Sequence, residues 1–215
     1  LGSQAAVDTF QTTYGPCDTT LYGINIQHDE ITNLAGLAGL KTIQGNLNIN
    51  YNMHLADYTG LADLQVIEGH LYIYRSGYRR YSPYTEAHQI NMASLVSIGG
   101  MLEIGGDSSY PVMLTAAHFP VLESLGGALK VHTIESLTAL SFPALTTAPS
   151  LYLSSIALAD LSGFAALTSV AGDITLNAVS LTDVDGLASI TAIGGSLSMT
   201  GNAGLRNLDG LASVT

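Results

Sequence analysis

The stretch Leu181-Thr-Asp-Val-Asp-Gly-Leu-Ala-Ser-Ile-Thr-Ala-Ile-Gly-Gly-Ser-Leu-Ser-Met199 holds two aliphatic patterns in series. Its first part places Leu181, Val184, Leu187, Ile190 and Ile193 three residues apart. Its second part, Gly195-Ser-Leu197-Ser-Met199, places a turn residue and a spacer ahead of two apolar residues that alternate with a polar one. The second pattern recurs as Ile24-Asn-Ile26, Gly45-Asn-Leu47-Asn-Ile49, Gly69-His-Leu71-Tyr-Ile73 and Gly100-Met-Leu102-Glu-Ile104. It continues through Gly127-Ala-Leu129-Lys-Val131, Pro149-Ser-Leu151-Tyr-Leu153 and Gly172-Asp-Ile174-Thr-Leu176. Five of the seven intervals between the first aliphatics fall within 22–24 residues, and the two longer ones lie in the middle of the chain. A period of this length marks a stacked repeat, in which one unit cannot bury its own apolar face and its neighbours must.

The alternating pairs read as short strands with both aliphatics pointing inward. The period-three ladder also occurs as Ile31, Leu34, Leu37, Leu40, Ile43 and as Leu158, Leu161, Phe164, Leu167, Val170. Strict spacing of three drifts off the face of an α-helix, and Asp-Gly steps such as Asp185-Gly186 interrupt it, so the expectation is one inward residue per bend of a coil. The fold class expected is all-β: a right-handed, leucine-rich parallel β-helix or solenoid of about eight coils. Residues 1–20 read as a lead-in or cap. Residues 21–215 read as a single solenoid with insertions at about 75–92 and 105–118.

Bulk composition agrees. Hydrophobic residues make up 47% and charged residues 11% of the 215, which excludes a disordered tail. The 23 Gly suit many tight turns, and the absence of Trp with only 4 Phe suits a core of small aliphatic units. Six basic against 17 acidic residues give a net charge of −11, which argues against nucleic acid or an anionic membrane surface as a partner. No apolar run is long enough to span a bilayer. The chain begins at Leu1 and stops at Ser213-Val214-Thr215 in mid-pattern, which reads as a processed piece with further coils to follow. The lone Cys17 reads either as a spare, buried thiol or as half of a disulfide to a segment elsewhere.

Several columns emerge once the repeats are aligned. Three residues past the second strand aliphatic stand Asn52, Ser76, Asp107, Ile134, Ile156, Val179 and Asn202, polar towards both ends and apolar in the middle. Inward polar side chains there are expected to bond free backbone groups at the bend, as an asparagine ladder does. Asn33, Asp57, Asp160, Asp183 and Asn207 recur once per coil, as do Asp185 and Asp209. A turn or cap requirement explains such recurrence, and a row of weak calcium sites is the rival, without a D-x-D-x-D-G loop to carry it.

The pattern L-x-x-L-x-G-L-x-x-L-x-x-I-x-G-x-L-x-I, as in Leu181 to Met199, resembles the receptor L-domain family. That family includes bacterial surface repeats, fungal cell-wall organisation proteins and ligand-binding lobes of growth-factor receptors. The stretch Leu137-Thr-Ala-Leu-Ser-Phe-Pro-Ala-Leu145 is similar to the fungal group. The resemblance covers roughly residues 21–215 and implies the solenoid fold and an extracellular, cell-surface setting. The chain departs from the family's glycosylated and cysteine-rich members: it has no Asn-x-Ser/Thr sequon and one Cys.

No nucleophile elbow, H-E-x-x-H helix, phosphate loop or C-x-x-C is present. The six histidines, His28, His54, His70, His88, His118 and His132, lack ligand spacing, so neither a metal nor a cofactor is expected. Outward strand positions read Asn25, Asn48, Tyr72, Glu103, Lys130, Tyr152, Thr175, Ser198 and Gln27, Asn50, Tyr74, Gly105, His132, Ser154, Asn177, Thr200. Glu103, Lys130 and His132 fall on adjacent coils, where they read either as an ordinary solvated face or as a site. The long third coil gathers Tyr72, Tyr74, Arg75, Tyr78, Arg79, Arg80, Tyr81 and Tyr84, residue types that dominate binding hot spots. With Lys130 and His132 these are the candidate binding residues, against the reading of a loop packed on its own tyrosines. The function expected is a non-catalytic extracellular binding or adhesion module recognising a glycan or protein. The alternatives are a structural subunit of a surface layer, sheath or filament, self-associating through solenoid ends, and a polysaccharide-acting enzyme with Glu103 as its acid.

Overall fold

The computed structural model describes residues 1–77, 88–109 and 111–215. The long sheet contains eight parallel strands: Ile24–Ile26, Leu47–Asn50, Leu71–Tyr74, Leu102–Gly105, Leu129–Ile134, Leu151–Ile156, Ile174–Asn177 and Leu197–Thr200. Each pairs with the strand one coil away, so the chain winds as a β-solenoid of about seven turns. The register follows the aligned repeats, with Leu47 beside Leu71, Leu71 beside Leu102, Leu102 beside Leu129 and Leu129 beside Leu151. These leucines are buried at 0–1% exposure and form one lengthwise stripe in a single core.

A second wall is made of two-residue strands. Thr19–Thr20, Thr42–Ile43, Val66–Ile67, Ser97–Ile98 and Ser124–Leu125 form one parallel sheet, and Thr147–Ala148, Ser169–Val170 and Ala192–Ile193 form another. The third wall changes along the rod. In five coils it is a 3-10 turn: Ala35–Leu37, Thr59–Leu61, Ser162–Phe164, Asp185–Leu187 and Asp209–Leu211. A 3-10 helix has three residues per turn, which is the spacing of the apolar ladder. The Asp-Gly steps that interrupt an α-helical reading open two of these turns, so the ladder is a bend with one short 3-10 turn in it. In the middle coils the wall is instead a parallel sheet of His88–Asn91, Leu114–His118 and Ala139–Ser141. Segments 88–91 and 114–118, expected within insertions, therefore form coil wall. Beneath them Phe119, Phe142 and Phe164 stack along the core, with ring centroids 4.9 and 5.4 Å apart.

The polar columns have structural work. Asn33, Asp57, Asp160, Asp183 and Asn207 each accept, through a side-chain oxygen, the backbone N–H two residues on, at 2.8–3.1 Å. This is the Asx turn that leads into the 3-10 turn. Hydrogen bonds from the Ser162 side chain and backbone hold the Asp160 carboxyl below the usual range. The inward column also behaves as expected at its ends. Fully buried Asn52 accepts from His28 N (2.8 Å) and donates to the Ile26 carbonyl (3.0 Å) and to Ser76 Oγ (3.2 Å), while Ser76 donates to the Ile49 carbonyl (3.0 Å). Asn202 accepts from Val179 N and donates to the Leu176 carbonyl. In the middle the strands run two residues longer, Ile134 pairs with Ile156 through the backbone, and aliphatic side chains suffice.

The start of the rod is closed by two short helices, Gln4–Asp8 and Phe10–Thr13. Gln4 imitates a missing coil: its Oε1 accepts from Thr32 N (2.8 Å) and Asn33 N (3.3 Å), where Ala56 N and Asp57 N find the Thr32 carbonyl one coil later. No helix among the described residues is long and apolar enough to cross a membrane.

Candidate functional site

The strand pleat sends alternate side chains outward, and pairing in register lines them up across coils. Tyr72 thus sits beside Glu103, Glu103 beside Lys130, and Lys130 beside Tyr152. In the neighbouring column Tyr74 sits beside Gly105 and Gly105 beside His132. Gly105 is the reason that Tyr74 and His132, two strands apart, approach each other. A Cβ on Gly105 would lie 2.6 Å from His132 Cε1. Without one, the His132 ring leans over the gap, and its centroid lies 6.2 Å from that of Tyr74.

The rings form a continuous row. Tyr51 lies 6.0 Å from Tyr74, edge to face at 77°. Tyr152 lies 6.4 Å from His132, again edge to face at 76°. Tyr51 is 42% exposed, and the other three are half-buried. Beneath the row, His132 Nε2 is 3.1 Å from Glu103 Oε1, and its Nδ1 is 3.3 Å from Thr133 Oγ1. In the neutral imidazole, Nε2–H donates to the carboxylate and Nδ1 accepts from the hydroxyl, which fixes the plane of the ring.

One end of the row is held by Arg75. Its guanidinium is ion-paired with Asp107 and lies 5.4 Å above the centre of the Tyr51 ring. Both Tyr51 (φ 57°) and Arg75 (φ 49°) adopt left-handed backbone just past their strands, as Ala178 does, and Thr133 and Ser155 adopt it at the matching place inside their longer strands. This recurring corner turns side chains at the strand end back over the sheet. The Asp107 carboxylate also accepts from Ser109 N at 2.9 Å. Burial first, then the Asp107 carboxylate, raises the Tyr74 phenol above its ordinary value, so it stays a neutral hydroxyl throughout the physiological range.

Of the residues nominated from sequence, Tyr74, Arg75 and His132 come together in this row and its anchor. Tyr72 faces the same way but contacts His70, with centroids 5.3 Å apart. Lys130 lies between Glu103 and Tyr152 in register and makes no ion pair among the described residues. Tyr78, Arg79, Arg80, Tyr81 and Tyr84 lie outside the described residues. Tyr51 and Tyr152 were not nominated. Tyr152 shares the outward column of Tyr72, and Tyr51 shares the corner column of Arg75, so weighting aromatics by column would have found both.

Other features are separate from the row. A cleft of about 520 Å³ beside the cap is lined by Phe10, Tyr14, Tyr22 and the free Cys17, and by none of the nominated residues. His70 is structural, with its Nδ1 accepting from Met101 N at 2.8 Å, and Asn46 does the same for His70 N. Among the described residues no group of three or more His, Cys, Asp or Glu is placed to hold a metal ion. The arrangement offers flat apolar ring faces, phenol hydroxyls, one carboxylate–imidazole pair and one anchored guanidinium on a rigid wall. Comparison with models of known families, with curated proteins and with solved structures finds no match.

Proposed function

We propose that this chain is a non-catalytic binding module of a cell surface or extracellular space, and that the ring-lined face of its long sheet receives a glycan. The observation that carries this reading is the row Tyr51–Tyr74–His132–Tyr152 with Glu103 hydrogen-bonded beneath it. Sugar rings present apolar C–H faces and a rim of hydroxyls. Aromatic side chains with polar tips, set beside a carboxylate, match both. The strands hold these groups in place before a ligand arrives, so little side-chain freedom is lost on binding. Extracellular placement is supported by the repeat's likeness to receptor L-domains, which rests on the sequence pattern alone.

Acid–base hydrolysis finds less support. Glu103 is committed to His132, and the nearby Asp107 is committed to Arg75 and Ser109 N. The test is a glycan array probed with wild type and with Tyr74→Ala/Tyr152→Ala. Binding by wild type and its loss in the double variant is the expected result. Equal binding by the two proteins excludes this face, and binding only to a protein partner removes the glycan.

A further inference from the structure

We infer that the ligand of this face is a neutral, extended polysaccharide that crosses the strands and covers about four sugar rings, rather than a compact or charged glycan. This rests on the binding reading above and adds the ligand's shape, direction and charge.

The direction comes from the coils. Tyr51, Tyr74, His132 and Tyr152 belong to four different coils within a run of five strands, with Gly105 in the one between. Adjacent strands are about 4.8 Å apart, so five of them span roughly 19 Å along the axis. Ring steps of 6.0, 6.2 and 6.4 Å carry the row across the same five strands, and it runs obliquely to the rod axis, because Tyr51 stands three register positions beyond Tyr152. Each step is comparable with the advance of one pyranose along an extended chain.

The spacing is also nearly uniform, although the residues come from unlike positions: a corner, two sites in one outward column and one in the other. A compact ligand has no use for four evenly spaced contacts. A polymer meets each in turn, and every ring adds a similar increment of affinity.

The charge follows from the surroundings. The carboxylates beside the row are Glu103 and Asp107, and Arg75 is already paired. Among the described residues of the adjoining strands, Lys130 is the cation without an ion pair, in a chain of net charge −11. An acidic polysaccharide would meet this field unfavourably, whereas hydroxyls can donate to Glu103 and accept from the phenols.

The experiment is calorimetric titration of the whole chain with neutral gluco-, manno- and xylo-oligosaccharides of increasing length, with polygalacturonate as the acidic control. In at least one neutral series affinity should climb steeply up to about four residues and then level off, and the acidic polymer should bind weakly or not at all. Tyr152→Ala, at one end of the row, should weaken the long oligosaccharides roughly tenfold and leave disaccharides unchanged. Gly105→Ala, at the outward position covered by the His132 ring, should push His132 out of line and cut long oligosaccharides to the affinity of a two-ring site. Unchanged circular dichroism would show that both variants fold. Glycan binding that is independent of length, or stronger for polygalacturonate, overturns this inference and leaves the binding reading in place. If no glycan binds, both fall.

Discussion

Asn52 shows how one side chain can substitute for a missing piece of sheet. The strands at this end of the rod stop after four residues, and beyond the first of them the ladder leaves His28 N and the Ile26 carbonyl to a side chain. The Asn52 amide reaches back to the preceding coil and satisfies both. Truncation by Asn52→Ala leaves both groups buried and unmatched, which should cost about 2 kcal/mol. In a chain of this size that corresponds to a fall in Tm of roughly 4–8 °C, measurable by calorimetry. No loss of Tm would mean that water reaches the bend. This role was legible in the sequence because a polar residue recurred at an inward position. The fate of Tyr51 was not, because its side chain is aimed by a left-handed φ just outside the strand, and no period of two or three marks such a corner.

At the scale of elements, glycine decides how closely coils approach. The glycines before each Leu-x-Ile strand look like turn residues in sequence, yet none of them has positive φ. They are needed because neighbouring coils touch there, against backbone at Gly45 and Gly127 and against the Asn46, His70 and Asp173 side chains at Gly69, Gly100 and Gly195. The same holds at the 3-10 turns, where a Cβ on Gly60 would land on the Leu34 carbonyl, and one on Gly186 would land on the backbone of Leu161. Gly60→Ala must therefore push two coils apart and should cost about 3 kcal/mol, the upper range for overpacking. Gly39→Ala meets open space and carries only the strain of its φ of +85°, about 1 kcal/mol. Urea unfolding of the two variants ranks them, and equal midpoints would remove the close-approach account. Strand register was readable from the alternating aliphatics, since a slip of one residue would expose every Leu and Ile. The third wall was not, because His88–Asn91 and Leu114–His118 lack the Gly-spacer-Leu signal and occupy the two long intervals that look like insertions.

For the whole molecule, burial of aliphatic rows between coils carries the stability, and charge works against it. The described ion pair that does not depend on a protonated imidazole is Arg75–Asp107, with His132–Glu103 and His28–Glu30 ionic only in the imidazolium form, while the chain as a whole carries −11. Self-repulsion of that size is screened by salt. Raising ionic strength from about 0.01 M to about 0.1 M shortens the Debye length from roughly 30 to roughly 10 Å. Tm should therefore rise with added salt by a few degrees, and a fall would show that the ion pairs outweigh the repulsion. The solenoid and its outward columns were readable from one sequence, because stacking forces each position to repeat its role. Which outward residues converge was not, since that depended on a residue with no side chain, Gly105. The change from four-residue strands to six-residue strands that end on isoleucine has one more outcome. A duplicated or transplanted unit will be accepted only next to one that finishes its edge in the same way. Growth of this rod by copying its own parts is thus restricted to particular joints, and the boundary between the two kinds is where a shuffled version should first come undone.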